Sequence, residues 1–170
     1  MDIKEFIRNV PDFPKEGIQF KDITPLLANG QALRFVIKSL ADEFRGKNIE
    51  LVVGPEARGF LIGTPLAYEL GAGFVPVRKE GKLPYNTLKG KYTLEYGEDK
   101  LEIHIDSIKK GQKVLVVDDL LATGGTIKTV VDLVEKLGGN IVGLAFLIEL
   151  GFLEGRKVLA GYDVRSLLEF

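Results

Sequence analysis

Cysteine and tryptophan are absent from the 170 residues, histidine occurs once, at His104, and methionine once, at Met1. Without cysteine there is no disulfide, no thiolate metal site and no cysteine nucleophile, and a reducing cytoplasm is the expected compartment. With one histidine, zinc motifs built on two are excluded, and any Ser-His-Asp triad would have to use His104. The net charge is only −1. A protein that holds nucleic acid by its phosphates needs a global positive field; here no nucleic-acid partner is expected, and any phosphate ligand must be held locally. Long apolar runs are missing too. Ile141 to Ile148, the longest, contains Gly143 and falls far short of the roughly 20 residues of a membrane span. Asp2 and Glu5 stand where a signal peptide would be basic and then apolar. The expectation is a soluble, cytoplasmic protein with no membrane partner. Its length and 45% hydrophobic content suit one domain over residues 1–170.

What is present concentrates in one stretch. Val114-Leu115-Val116-Val117 is a branched apolar run long enough for a buried strand; it stops at two adjacent carboxylates, Asp118 and Asp119. The chain then passes through Leu120-Leu121-Ala122-Thr123-Gly124-Gly125-Thr126 into the helical pattern of Ile127 to Leu137. In an open α/β sheet, ligands sit at the carboxyl ends of strands, and a Gly-rich turn feeding a helix N-terminus presents unpaired N–H groups to an anion. Gly124 and Gly125 allow backbone to approach phosphate with no Cβ between. Neither a Walker A loop nor a Gly-x-Gly-x-x-Gly fingerprint is present, so other phosphate chemistry is required. Read singly, the acidic pair is a strand end, and Thr123 or Thr126 a helix cap. Their occurrence together at one strand end shifts the balance toward a phosphate cradle with acid beside it.

Helical and strand patterns alternate around this stretch. Asp2 caps a short helix through Val10, after which Pro11, Pro14 and Gly17 impose an irregular segment. Leu33, Val36, Ile37, Leu40 and Phe44 recur at helical spacing. Ile49 to Val53 reads as a buried strand ending at Gly54-Pro55, Phe60 to Leu70 as a helix, and Phe74 to Val77 as a strand. Between Arg78 and Lys91, charged and turn-forming residues predict a mobile loop in which Lys89 and Lys91 are solvated charges without partners. Tyr92 to Tyr96 and Leu101 to Ile105 alternate around Gly97-Glu98-Asp99, a strand pair closed by a turn. Leu101, Ile103 and Ile105 form one face; Glu102, His104 and Asp106 form the other, with His104 a surface residue without a role. Gly138-Gly139 ends the last helix, and Ile141 to Ile148 is a further buried strand. The alternation predicts a mostly parallel sheet.

Val114 to Thr126 resembles the phosphoribosyl-pyrophosphate signature of the type I phosphoribosyltransferases. The likeness continues through Phe13-Pro14-Lys15-Glu16-Gly17-Ile18, Asp22-Ile23-Thr24-Pro25-Leu26-Leu27, Glu56-Ala57-Arg58-Gly59-Phe60, Arg78-Lys79, Gly81-Lys82-Leu83-Pro84, Leu94-Glu95-Tyr96-Gly97 and Leu101-Glu102-Ile103. These segments follow that family's order and are similar to its adenine-accepting branch. Tyr85 and Asn86 after Gly-Lys-Leu-Pro, and Gln19 before Phe20, are local departures. The resemblance implies a type I phosphoribosyltransferase fold: an α/β architecture whose central, mostly parallel sheet is flanked by helices, with a small N-terminal hood over the base site. It also implies transfer of the phosphoribosyl group from phosphoribosyl pyrophosphate to adenine, giving AMP and diphosphate, by a homodimer.

Position by position, the resemblance implies that Ala122, Thr123, Gly124, Gly125 and Thr126 hold the 5′-phosphate and that Asp118 and Asp119 meet the ribose hydroxyls. Carboxylates there accept both hydroxyls and offset positive charge developing on the ring. Arg58, Arg78, Lys79 and Lys82 belong at the pyrophosphate, with Mg²⁺ bound mainly through substrate oxygens and no direct protein ligand. Ile18, Phe20 and Arg58 frame adenine, Phe20 by stacking. Glu95 is the implied acid/base residue for a proton on the purine imidazole, and Tyr96 supports the closed loop. The alternatives are another acceptor, such as hypoxanthine, guanine or xanthine, and a regulator that binds the donor without chemistry. The regulator needs a DNA-binding domain, for which the residues before Phe13 leave no room.

Overall fold

Alternating helical and strand patterns build a central sheet between helices in the computed structural model, which describes residues 1–94 and 97–170. A 3-10 turn (Ile3–Phe6) precedes β1 (Arg8–Pro11) and β2 (Gln19–Asp22), which pair antiparallel. Helices α1 (Thr24–Ala28) and α2 (Gly30–Phe44) follow, then β3 (Leu51–Pro55), α3 (Arg58–Leu70) and β4 (Gly73–Lys79). Next come β5 (Thr87–Leu94), β6 (Gly97–His104), β7 (Lys113–Leu121), α4 (Gly125–Lys136), β8 (Asn140–Glu149), α5 (Gly155–Val158) and β9 (Val164–Glu169). The seven-stranded sheet has the order β5-β6-β4-β3-β7-β8-β9. Its strands β4, β3, β7, β8 and β9 are parallel, and the β6–β5 pair is added antiparallel at one edge.

The strand period of two feeds two cores at once. Leu115 and Val117 of β7 join Val36, Leu40, Ile62 and Leu66 of α2 and α3 on one face. Val114 and Val116 join Ile127, Val130, Val131 and Val134 of α4 on the other. Each of these side chains is buried, and full burial of one contributes about 1.5–3 kcal/mol. This double burial is why the strand reads as a continuous apolar run rather than an alternating one. Helix α3 lies close enough to the sheet that a Cβ on Gly63 would stand 2.6 Å from the Phe74 ring and 3.0 Å from Val117.

Several local expectations are corrected by pairing. Asp2 does cap, accepting the Lys4 N–H at 3.0 Å, but the helix ends at Phe6, because residues 8–11 satisfy their backbone against β2. Strand β7 does not stop at the acidic pair: Leu120 and Leu121 continue opposite Ile148 and Glu149. Gly97, Glu98 and Asp99 belong to β6, opposite Leu94, Thr93 and Tyr92. Much of the expected loop is strand, since Arg78 and Lys79 end β4 and residues 87–91 begin β5. Lys89 there has partners, Glu80 at 2.8 Å and Glu102 at 3.7 Å, and Lys91 lies 3.8 Å from Glu98. Glu102 is consequently buried beside its cross-strand lysine, whereas Ile105, past the end of β6, is exposed. His104 is half-buried, and its Nε2 accepts the Tyr85 N–H at 3.3 Å.

Candidate active site

The parallel strands diverge between β3 and β7. From β3 the chain crosses by α3 to β4 on one side; from β7 it crosses by α4 to β8 on the other. Such a switch point opens a crevice at the carboxyl ends of the strands. Two adjoining cavities occupy it. One, of about 190 Å³, is lined by Arg58 and the run from Asp118 to Ile127. The other, of about 230 Å³, is lined by residues 55–58, Lys79, Tyr92 and Leu101, and again by Asp118, Asp119 and Thr126. Arg58, Asp118, Asp119 and Thr126 border both.

At the first cavity, β7 gives way to α4 through Ala122, Thr123 and Gly124. Gly124 is the residue before the helix, at φ 89°, a left-handed conformation that favours glycine. No described side chain caps α4, so neither Thr123 nor Thr126 is its cap. The N–H groups of the first turn lack intrahelical acceptors, and Gly125, Thr126 and Ile127 line the cavity. That is an anion site in the making.

The acidic pair borders the same space. Asp119 is 3% exposed, and its Oδ2 accepts no hydrogen bond from a described residue. The Arg58 Nε lies 3.1 Å away, supplying charge but at an angle too bent for a hydrogen bond. Asp118 Oδ1 accepts the Asp119 N–H at 2.9 Å. Burial, and then the charge of Asp119, push Asp118 well above the usual carboxylate range. Burial raises Asp119 as well, against the lowering pull of Arg58. A buried carboxylate with an unmet acceptor beside a second, half-buried one is costly, and a ligand carrying neighbouring hydroxyls would relieve the pair.

Arg58, the first residue of α3, joins three regions. Besides Asp119, its Nη1 donates to the Lys21 carbonyl of β2 at 3.4 Å, and its Cζ stands 4.8 Å from the Phe20 ring centroid. The two-stranded hood is thereby connected to the acidic pair. Phe13 meets Phe20 edge-on at 5.2 Å. Ile18 uses both backbone groups locally, donating to the Lys15 carbonyl and accepting the Phe13 N–H, each at 3.3 Å. Neither Ile18 nor Phe20 lines the two cavities; Phe20 adjoins them through Arg58. Gln19 is turned to Asn9, whose Nδ2 donates to it at 2.7 Å.

On the second cavity's side, Glu56 organises the cations. Its peptide bond to Ala57 is cis, and its Oε1 accepts from the Lys79 N–H at 2.8 Å and from Arg78 Nε at 3.2 Å. Lys79 Nζ lies 3.3 Å from Asp99 Oδ2, which also accepts the Tyr92 hydroxyl at 2.9 Å. That hydroxyl, then the Lys100 N–H, hold Asp99 low, while burial and Asp99 push Tyr92 up to about 12. Of the expected pyrophosphate residues, Arg58 and Lys79 line the cavity. Arg78 is turned to Glu56, and Lys82 is exposed beyond β4. Glu95 and Tyr96 lie outside the described residues.

Glu56 enters from the sequence only within the segment Glu56-Ala57-Arg58-Gly59, which resembles the family's pyrophosphate loop, with no role of its own; Tyr92 and Asp99 have none either. Placing Gly97 to Asp99 in a turn hides the last two, which become cross-strand partners once β6 begins at Gly97. The function of Glu56 becomes visible only when β4 is packed beside β3. Among the described residues, no three His, Cys, Asp or Glu side chains gather closely enough to hold a metal ion.

Comparison with known proteins places these features in a lineage. A family model described as phosphoribosyl transferase domain matches residues 20–167. An adenine phosphoribosyltransferase of Clostridium botulinum is 61% identical over 170 residues, covering 100% of this chain and 99% of that one. The crystal structure of the adenine phosphoribosyltransferase from Thermoanaerobacter pseudethanolicus superposes with a TM-score of 0.97 at 58% identity, covering 99% and 98% of the two chains. The Saccharomyces cerevisiae adenine phosphoribosyltransferase, complexed with an imino-altritol bisphosphate and adenine, superposes at 0.93 with 42% identity, covering 98% and 97%.

Proposed function

The chain belongs to the phosphoribosyl transferase family, and within it we infer that it works as an adenine phosphoribosyltransferase. It transfers the phosphoribosyl group of phosphoribosyl pyrophosphate to adenine, forming AMP and releasing diphosphate. One observation carries this reading beyond similarity. The acidic pair, with its unmet Asp119 oxygen, stands between a phosphate-type turn and a cavity bearing cations. That is the order of 5′-phosphate, ribose and pyrophosphate along the donor.

In this reading the 5′-phosphate lies against Ala122, Thr123, Gly124, Gly125 and Thr126. The ribose hydroxyls donate to Asp118 and Asp119, whose charge offsets the cationic ring as the bond from C1′ to diphosphate oxygen breaks and the bond to adenine N9 forms. Arg58 and Lys79 meet the leaving diphosphate. Arg78 and Lys82 join them as the segment between β4 and β5 closes and excludes water, which would otherwise hydrolyse the ribosyl cation. Phe20 stacks on adenine, framed by Ile18 and Arg58. Glu95 accepts the proton lost from the adenine imidazole, and Tyr96 supports the closed segment. A divalent cation would be held mainly by donor oxygens, with no direct protein ligand. When bound, Mg²⁺ supplies neutralising charge to the diphosphate.

We place the protein in a reducing cytoplasm, as the lack of cysteine favours; among the described residues no helix is long and apolar enough to cross a membrane. The working form is a homodimer. Its support is the outer face of α3, where Leu61 and Tyr68, seven residues apart and so on one face, are 47% and 88% exposed. Sedimentation should give twice the mass of one chain, and Leu61→Asp with Tyr68→Asp should halve it. A native monomer, or a double variant of unchanged mass, removes the proposed interface.

The activity is tested by turnover with phosphoribosyl pyrophosphate and a panel of adenine, hypoxanthine, guanine, xanthine and orotate. Adenine should exceed every other base in kcat/KM by about 10²-fold or more, because a polar edge left unpaired in the site is heavily penalised. A better acceptor in the panel overturns the assignment to adenine. Donor binding without turnover of any base favours the regulator instead.

A further inference from the structure

Against the phosphate turn, outside both cavities, lies a charge pair that the scheme above leaves unused. Glu149, 5% exposed at the end of β8, is gripped at both oxygens by Arg156 of α5: Nε donates to Oε1 at 2.7 Å and Nη2 to Oε2 at 2.8 Å. Ser166 of β9 donates to Oε2 at 2.7 Å, and Arg156 Nη1 donates to the Val164 carbonyl at 2.9 Å. One guanidinium therefore ties α5 to β8 and β9.

The residue before it, Gly155, touches the phosphate turn backbone to backbone. A Cβ on Gly155 would stand 2.4 Å from the Ala122 carbonyl oxygen, and one on Gly124 would stand 2.9 Å from the Gly155 carbonyl oxygen. The two glycines interlock, so any shift of α5 has to be passed to residues 122–124. The strand side of the turn is tied to the same acid. Leu121 lies opposite Glu149 in the β7–β8 register, and the Leu150 N–H donates to the Leu121 carbonyl at 2.9 Å.

We propose that Arg156, through its two-point pair with Glu149, is a positioning residue for the phosphoribosyl donor. It sets Gly155 against Gly124 and thereby aims the N–H groups of the turn at the 5′-phosphate. The proposal rests on reading that turn as the 5′-phosphate cradle. A planar two-point pair is directional as well as strong, and a fixed anion site loses much of its value when its donors move by a fraction of an ångström. Lysine keeps the charge but cannot reproduce the fork, so Arg156→Lys separates geometry from charge.

The test uses the full chain, with steady-state kinetics for both substrates and calorimetric binding of ribose 5-phosphate. In Arg156→Lys the KM for phosphoribosyl pyrophosphate should rise about tenfold, and affinity for ribose 5-phosphate should fall by about the same factor, while the KM for adenine stays within about twofold. Arg156→Gln should act in the same direction and more strongly; Ser166→Ala should act more weakly. Unchanged donor KM in a folded Arg156→Lys, or equal losses for donor and adenine, overturns the proposal. Should Arg156→Gln fail to fold because Glu149 is left buried and unpaired, the lysine and alanine variants decide the question by the same criteria. Gly125→Pro, which removes a first-turn N–H at the helix position that tolerates proline and has room for a side chain, separates the cradle from its positioning. If it leaves ribose 5-phosphate binding intact, the cradle reading itself fails. If it weakens that binding while Arg156→Lys does not, the positioning role alone falls.

Discussion

Replacing Asp118 and Asp119 together by asparagine is expected to lower kcat/KM for phosphoribosyl pyrophosphate by about 10²–10⁴-fold while making the folded chain more stable at neutral pH. The first effect follows from the loss of two hydrogen bonds to charged acceptors, each worth about 1.5–3 kcal/mol, and of the negative charge that offsets the ribosyl cation. The second follows from burial. Asp118 is raised by burial and by Asp119, and Asp119 by burial against Arg58. Both therefore bind protons more tightly in the folded chain than in the unfolded one, where a carboxylate titrates near about 3.9. A group with a raised folded value favours folding below the unfolded value and loses that contribution as pH rises through the folded value. Asparagine has no such loss. Calorimetric Tm should thus be higher for the variant at pH 7, and the difference should vanish when the native pair is protonated in acid. A variant less stable at pH 7, or one with native donor kinetics, would return the pair to an ordinary structural role.

Glu95→Gln should lower kcat by about 10²–10⁴-fold, the usual worth of a positioned acid or base, with both KM values within a few-fold of native. Glutamine preserves size and hydrogen bonding but cannot take the imidazole proton, so the loss belongs in kcat rather than in binding. The strand that precedes this residue, β5, brings Tyr92 to the lining of the second cavity, beside Lys79 and Arg58. Single-turnover measurement distinguishes a slowed chemical step from slowed product release. Native kcat in the variant removes the acid/base assignment.

Much of the fold was legible because it is written locally. The apolar periods of 33–44, 49–53, 127–137 and 141–148 fall within, or within two residues of, α2, β3, α4 and β8, since burial of one helical face or of both strand faces leaves a direct trace in residue order. Where the structure departs from that local trace, a non-local partner decides the outcome. Residues 8–11 left the helix for a strand because β2 was there to pair with them. Lys89 gained Glu102 as a cross-strand partner because β5 and β6 run alongside each other, and Glu102 was buried by the same pairing.

The candidate site divides along the same line. The glycine turn at 122–126 and the acidic pair before it are determined by residue order, because backbone conformation, free N–H groups and adjacent carboxylates depend on immediate neighbours. Tertiary structure alone decided that Arg58 reaches Asp119, Phe20 and Lys21 at once. It likewise decided that Glu56 gathers Arg78 and Lys79, and that Arg156 locks Glu149 against the back of the turn. These partners come together only after the sheet has ordered its strands, and the burial that raises the acidic pair comes from elements distant in sequence. The chain's order of residues therefore specified what kind of ligand chemistry was present, while packing specified which charges face it and how far from neutrality the site is held.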